Sequence, residues 1–172
     1  LWIPPYSYAE DKAHNFRCCA CHPKYAFVPQ SIVLYRENLQ SLTFRPKKDL
    51  MQNWILLASY FEQFLKEKSL SRKYGDLIFF HLLIGAMYLA KEEMTYKGKK
   101  IRVVAKVLKK YHANPFVKEK LTWKACVHYT AHIQSLFWKA LAFTLVFFLQ
   151  VHAYSILAAV LVLMSRLGID SL

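Results

Sequence analysis

The chain has 172 residues, of which 55% are hydrophobic, and it carries a formal net charge of +13 at pH 7. It contains only four glycines, which disfavours sandwiches and barrels with their many tight turns. Acidic residues are scarce and no phosphate-binding loop or nucleophile motif occurs, so the sequence disfavours an enzyme. We expect an all-α, non-catalytic protein: a small helical body with an irregular aromatic-rich N-terminal segment and one C-terminal transmembrane helix.

Residues 1–46 form the first predicted unit, an extended or irregular segment. Prolines interrupt it repeatedly, and its aromatic residues lack helical spacing. Such a segment cannot build its own core, so we expect it to lie across a neighbouring protein, with the aromatic side chains as anchors. The chain begins at Leu1 instead of Met. This start predicts either a fragment or a processed chain from which a transit peptide has been removed.

A C-x-x-C-H motif lies within the N-terminal segment. Cys18, Cys21 and His22 have the spacing that attaches c-type haem. The same three residues, with His14 nearby, could also supply zinc ligands. A haem c fold needs glycine-rich loops around the ring, yet the N-terminal segment has no glycine, and the second C-x-x-C pair of many zinc sites is missing. We therefore expect no cofactor and no metal here, with haem and zinc as the alternatives.

Residues 47–139 are predicted to form a basic helical body. Apolar residues at three- and four-residue spacing indicate a helix over 47–68. The stretch 77–90 is apolar on all sides but short for a membrane crossing, so we expect a core helix joined to its neighbours by turns. An apolar stripe opposite several lysines predicts an amphipathic helix over 101–111.

The positive charge is concentrated in residues 95–139, which hold eleven basic residues and one acidic residue. Such a block needs anionic surroundings, namely lipid headgroups, RNA or acidic neighbouring subunits. We therefore predict that the basic residues of this block contact an anionic surface: Lys99, Lys100, Arg102, Lys106, Lys109, Lys110, Lys118, Lys120 and Lys124.

The most informative stretch lies near the C-terminus, where residues 140–165 contain no charged side chain. About 20 apolar residues suffice for a helix to cross a bilayer. We therefore predict a transmembrane helix over 140–166, followed by a short tail over 167–172. One unbroken helix is expected to run from 116 to 167, so that the membrane helix continues the body.

Two polar residues, Gln150 and His152, lie near the middle of the predicted transmembrane helix. Polar side chains inside a membrane usually face another protein helix, where they find hydrogen-bond partners. We therefore expect both residues to contact a partner helix. The basic block before the anchor places the body on the negatively charged side of the membrane. In a mitochondrion that side is the matrix.

The leading functional hypothesis is a single-pass accessory subunit of a large membrane complex. A mitochondrial respiratory-chain or ATP synthase complex in the inner membrane is the favoured setting. The expected partners are other subunits of that complex and anionic lipid headgroups, without nucleic acid. The alternative is an RNA-binding helical subunit of a ribonucleoprotein, in which 140–165 is buried core. A c-type haem electron carrier is a third hypothesis.

Overall fold

The computed structural model describes residues 10–21 and 49–168, and every regular element within these ranges is an α-helix. The expected all-α class is therefore confirmed. The helices, in chain order, are α1 (Glu10–Cys21), α2 (Leu50–Glu67), α3 (Ser71–Lys97), α4 (Ile101–His112), α5 (Pro115–Lys120), α6 (Trp123–Thr130), α7 (Leu136–Gln150) and α8 (Tyr154–Arg166).

Helix α1 overturns part of the first prediction, because it lies inside the segment that was expected to be irregular. It contacts α2 through the ring of Phe16 and through the guanidinium of Arg17, which lies 5.2 Å from the centre of the Phe64 ring. The ring of Phe16 stacks on that of Phe61 in α2, with centroids 4.1 Å apart. Residues 1–9 and 22–48 of the predicted irregular segment lie outside the described residues.

Helices α2 and α3 form an antiparallel hairpin, joined by a turn in which Ser69 has a left-handed φ of 56°. The sequence predicted α2 well. It predicted α3 over 77–90, whereas the helix begins at Ser71 and ends at Lys97. The hairpin is fixed by Trp54, whose indole Nε1 donates to the carbonyl of His81 at 2.8 Å. Gly85 faces this indole, and a Cβ at position 85 would collide with it.

Helix α4 is the expected amphipathic helix, and it packs between α3 and α8. Its inner side chains include Val104, Leu108 and Tyr111, all fully buried. The buried hydroxyl of Tyr111 donates to the carbonyl of Leu82 at 2.8 Å, so this polar group has a partner inside the core. The apolar stripe that was read from the sequence is therefore the face that α4 turns towards the core.

The predicted unbroken helix over 116–167 is wrong, because four helices occupy this part of the chain. Polar caps mark three of the helix starts. Asn114 caps α5, which begins at a proline, Thr122 accepts from the amide of the third residue of α6, and Ser135 does the same for α7. The predicted long helix was based on the run of apolar residues and did not take these single capping residues into account.

The uncharged run that was expected to form one transmembrane helix folds back on itself as α7 and α8. A turn over 151–153 separates the two helices, and His152 has a left-handed φ of 58° there. Folding back lets each helix bury one apolar side, because Leu145, Leu149, Leu157 and Leu161 all enter the core. Among the described residues, no helix has both the length and the apolar character needed for a membrane crossing.

Candidate functional site

The outward side of α4 is a strongly basic surface, which we call the basic face. Arg102, Lys106, Lys109 and Lys110 are exposed, on the side away from the buried Val104 and Leu108. Within residues 10–21 and 49–168, none of these four cations forms an ion pair. Their charges are therefore not neutralised by the described part of the chain, and they remain available to an external anion.

Two of the nine lysines and arginines predicted to contact an anionic surface have partners inside the protein. The ammonium of Lys99 donates to the carbonyl of Ser165 at 2.9 Å, where it satisfies a carbonyl in the last turn of α8. Lys120 contacts the carboxylates of Glu62 and Glu119 at 2.6 and 2.7 Å. The bond to Glu62 joins α5 to α2, so Lys120 helps to hold these two helices together.

The pKa values of this ion cluster agree with its geometry. Partial burial by itself would lower the pKa of Lys120, but the hydrogen bonds to Glu119 and Glu62 outweigh burial and raise it. Burial by itself would raise the pKa of Glu62, but the bonds from Lys120 and Lys66 outweigh burial and lower it. The remaining predicted cations, Lys100, Lys118 and Lys124, are exposed beside the basic face or on the next two helices.

The α7–α8 hairpin has a second unusual surface, which we call the apolar face. Its outward side chains are large and hydrophobic, and each is about half exposed or more: Leu136 (80%), Phe137 (52%), Phe147 (48%), Val151 (52%), Ile156 (55%), Leu163 (57%) and Leu167 (65%). Isolated exposed leucines are common in proteins, whereas a large exposed apolar patch is typical of an interaction site, so we take these side chains as a candidate site.

The basic face and the apolar face lie on neighbouring helices. Helix α8 runs antiparallel to α4, since Lys99, just before α4, donates to Ser165 at the end of α8. At the other end, His112 meets Tyr154. Cationic and apolar side chains are therefore carried by two helices in direct contact, a combination that suits the boundary between lipid headgroups and acyl chains.

A groove of about 470 Å³ between α3 and α7 adds further apolar surface. Its walls are formed by hydrophobic side chains from α3, α7 and the loop before α7: Phe80, Leu83, Ile84, Met87, Ile133, Trp138, Leu141, Ala142 and Leu145. Trp138 is 43% exposed at the groove and follows directly after Phe137 of the apolar face. The apolar surface of α7 therefore extends to both sides of its first turn.

Gln150 and His152 were predicted to face a partner helix of another protein. The side-chain amide of Gln150 instead donates to the carbonyl of Leu121 in this chain, at 2.6 Å. This bond ties the end of α7 to the end of α5. His152 is exposed at the turn between α7 and α8. The two residues therefore have separate environments, one inside the chain and one at its surface.

The fold also forms a buried cluster around His112, which the sequence analysis does not predict. His112 is the last residue of α4 and only 1% exposed, and its Nδ1 lies 3.0 Å from the hydroxyl of Tyr154. The ring of His152 lies 5.6 Å from that of His112. The sequence signal was present but weak: His112 ends an amphipathic stripe, 40 positions before a histidine that only the hairpin turn brings close.

The residues of the C-x-x-C-H motif are only partly described. Cys18 and Cys21 lie on α1 and are exposed. The side chain of His14 and all of His22 lie outside the described residues, as does the side chain of Cys19. Among the side chains that the structure places, no group of three or more histidine, cysteine or acidic residues is arranged to hold a metal ion.

Cys126 lies apart from that motif, on the side of α6 that faces the core. It is buried, and burial raises the pKa of its thiol to about 11. A thiol with so high a pKa is protonated at neutral pH and is a poor nucleophile. Cys126 therefore fills core volume beside Thr130, whose hydroxyl donates to the carbonyl of Cys126 at 2.6 Å.

Comparisons of the chain with models of known protein families, with curated proteins and with solved structures give no match.

Proposed function

We propose that this chain is a non-catalytic helical module that docks on an anionic membrane surface beside other subunits of a membrane complex. The observation that carries the proposal is the apolar face of the α7–α8 hairpin next to the basic face of α4. Because the uncharged run folds back at 151–153, we assign it a position along the membrane surface, with its outer side chains among the acyl chains.

Both faces contribute to such docking. A basic residue close to an anionic lipid surface gains about 1 kcal/mol, an attraction that fades within a Debye length. A large apolar side chain gains about 1.5–3 kcal/mol when fully buried. Stable attachment generally needs two signals of this kind together. The proposal therefore expects that losing either face weakens binding strongly.

The test is flotation of the full-length protein with vesicles of phosphatidylcholine, with and without phosphatidylglycerol. The wild type should float with the anionic vesicles and do so less at high salt. Reversing three charges of the basic face (Lys106→Glu, Lys109→Glu and Lys110→Glu) should strongly reduce flotation. The matched control makes the same charge change at the exposed α2–α3 turn (Lys68→Glu, Arg72→Glu and Lys73→Glu) and should lower flotation only slightly.

The apolar face is tested in the same assay. The double variant Ile156→Ser and Leu163→Ser should reduce flotation at least as much as the charge reversal. Its control, Leu56→Ser with Leu77→Ser, removes side chains of the α2–α3 hairpin that are 47% and 41% exposed. Equal losses in the two double variants, or no flotation of the wild type on anionic vesicles, would contradict the proposal.

One observation supports the alternative of RNA binding, because the inner half of 140–165 does lie in the core. Filter binding of single-stranded RNA by the same variants separates the two functions. Retention of RNA by the wild type, with loss in the charge-reversed variant and no vesicle flotation, would replace the membrane proposal. The mitochondrial inner membrane and the matrix side stay predictions from the sequence.

A further inference from the structure

The buried histidine at the end of α4 is in an unusual position for a titratable group. His112 is 1% exposed, and its Nδ1 lies 3.0 Å from the hydroxyl of Tyr154, the first residue of α8. Its other ring nitrogen, Nε2, is buried without a hydrogen-bond partner among the described residues. The contacts favour the neutral tautomer with hydrogen on Nδ1, which donates to Tyr154 and leaves only a lone pair unpaired.

A protonated His112 would not fit this site. Both ring nitrogens would then carry hydrogen, and Nε2–H would be a buried donor without an acceptor. The surrounding elements do not compensate: the turn contributes His152 and α5 contributes Lys118, while α8 contributes the neutral Tyr154. From α3, the carbonyl of Leu82 accepts a hydrogen bond from the hydroxyl of Tyr111, the residue before His112. Within residues 10–21 and 49–168, no carboxylate pairs with His112.

The cluster lies where the apolar hairpin closes. His152 has a left-handed φ of 58° in the turn between α7 and α8, and its ring stacks beside that of Tyr154 with centroids 5.8 Å apart. His112 therefore touches both the start of α8 and the turn that precedes it. A change of charge at His112 therefore acts on the start of α8 and on the turn before it, where the end of α4 contacts the hairpin.

We propose that His112, Tyr154 and His152 form an acid-released latch, which frees the start of α8 from the end of α4 when His112 takes up a proton. The proton comes from solvent and binds Nε2, and the charged ring leaves its dry site for water. Release uncovers the inner apolar side of α8, including Leu157 and Leu161. The latch itself does not depend on the proposed membrane function. Only the consequence of release, deeper insertion of the α7–α8 hairpin into the membrane, rests on that function.

The direction of the pH dependence follows from the site. Burial, and then electrostatic repulsion from His152 and Lys118, lower the pKa of His112 below its usual value. An unfolded histidine has a pKa of about 6.5. The latch is therefore fully closed above about pH 6.5, and its stability is lost as the pH falls below that value towards the folded pKa.

Hydrogen–deuterium exchange of the full-length protein, corrected for the intrinsic pH dependence of exchange, tests the latch. Between pH 7 and pH 5, amides in the first turns of α8 should exchange faster, by up to about tenfold per pH unit below 6.5. The variant His112→Gln keeps a hydrogen-bonding group but cannot be charged, so its α8 should not respond to pH. His112→Asn is the second variant if the first is unstable, and His128→Gln is the control at an exposed histidine.

The outcomes separate the latch from the proposed function. Acid-induced exchange in the wild type and in His128→Gln, with none in His112→Gln or His112→Asn, supports the latch. No acid response in the wild type, or the same response in all variants, overturns it. Vesicle flotation at pH 5 and pH 7 then tests the consequence: release of α8 without stronger binding supports the latch but contradicts the membrane role.

Discussion

The two large hairpins of the molecule bury the same kind of inner surface but present different outer surfaces. In α2–α3, a row of polar residues faces outward, with Lys66 bonded to Glu62 and Gln63 to Glu67. In α7–α8, the outward side chains between 140 and 165 include no charge. A surface helix normally has one apolar stripe, and a helix that is apolar all round needs cover on both sides. The second hairpin therefore exposes a larger uncharged apolar surface than the first, and this difference motivates the membrane-docking proposal.

The largest effects are expected where the two hairpins are alike, on their inner sides. Trp54→Ala in α2 should lower the free energy of unfolding by about 3–5 kcal/mol, and Leu149→Ala in α7 by about 2–5 kcal/mol, because both leave cavities in one core. Urea unfolding followed by circular dichroism measures both values. A loss below 1 kcal/mol for Leu149→Ala would mean that α7 is not part of the core.

Intermediate effects are expected at the polar bonds that tie each hairpin to the rest of the body. Tyr111→Phe removes the donor to the carbonyl of Leu82, and Gln150→Leu removes the donor to the carbonyl of Leu121. Each should cost about 0.5–1.5 kcal/mol in urea unfolding. Tyr111 is fully buried, whereas Gln150 is only partly buried, so the Tyr111 variant should lose more. A larger loss for the Gln150 variant would show that the bond to the Leu121 carbonyl contributes more to stability than the bond to the Leu82 carbonyl.

The smallest stability effects, and the clearest contrast, are expected on the outer sides. Leu136→Ser and Phe137→Ser on α7 should change the free energy of unfolding by less than about 0.5 kcal/mol, since these side chains lose little contact. The same variants should raise the solubility of the purified protein, whereas Leu56→Ser on α2 should not. Light scattering against protein concentration checks this. An equal gain in solubility for the α7 variants and for Leu56→Ser would contradict the difference between the two hairpins.

The parts of the fold that the sequence predicted are those with a strong three- to four-residue period, namely α2 and α4. The hairpin turn at 151–153 could not be predicted, because it has neither glycine nor proline and its left-handed residue is a histidine. Tertiary packing outweighs local preference there: two short helices bury inner leucines that one long helix could not place in the core.

Only part of the candidate site could be predicted from the sequence, for a related reason. The cations of α4 follow from periodicity, because residues opposite an apolar stripe face solvent. Periodicity cannot show that Lys99 and Lys120 find acceptors in Ser165 and Glu62, since those partners lie 66 and 58 positions away. The cluster of His112 with Tyr154 depends on the same kind of long-range contact.

The most direct measurement of the central claim compares one position on each hairpin in the presence of membranes. A nitroxide spin label is attached to a cysteine that replaces Leu163 or, as the matched control, Leu77, after the native cysteines are changed to serine. Electron paramagnetic resonance then gives the accessibility of each label to oxygen and to a water-soluble nickel complex. On adding anionic vesicles, the label at 163 should gain oxygen and lose nickel accessibility, while the label at 77 stays unchanged. No change at 163, or the same change at both positions, would contradict membrane docking through the apolar face of the α7–α8 hairpin.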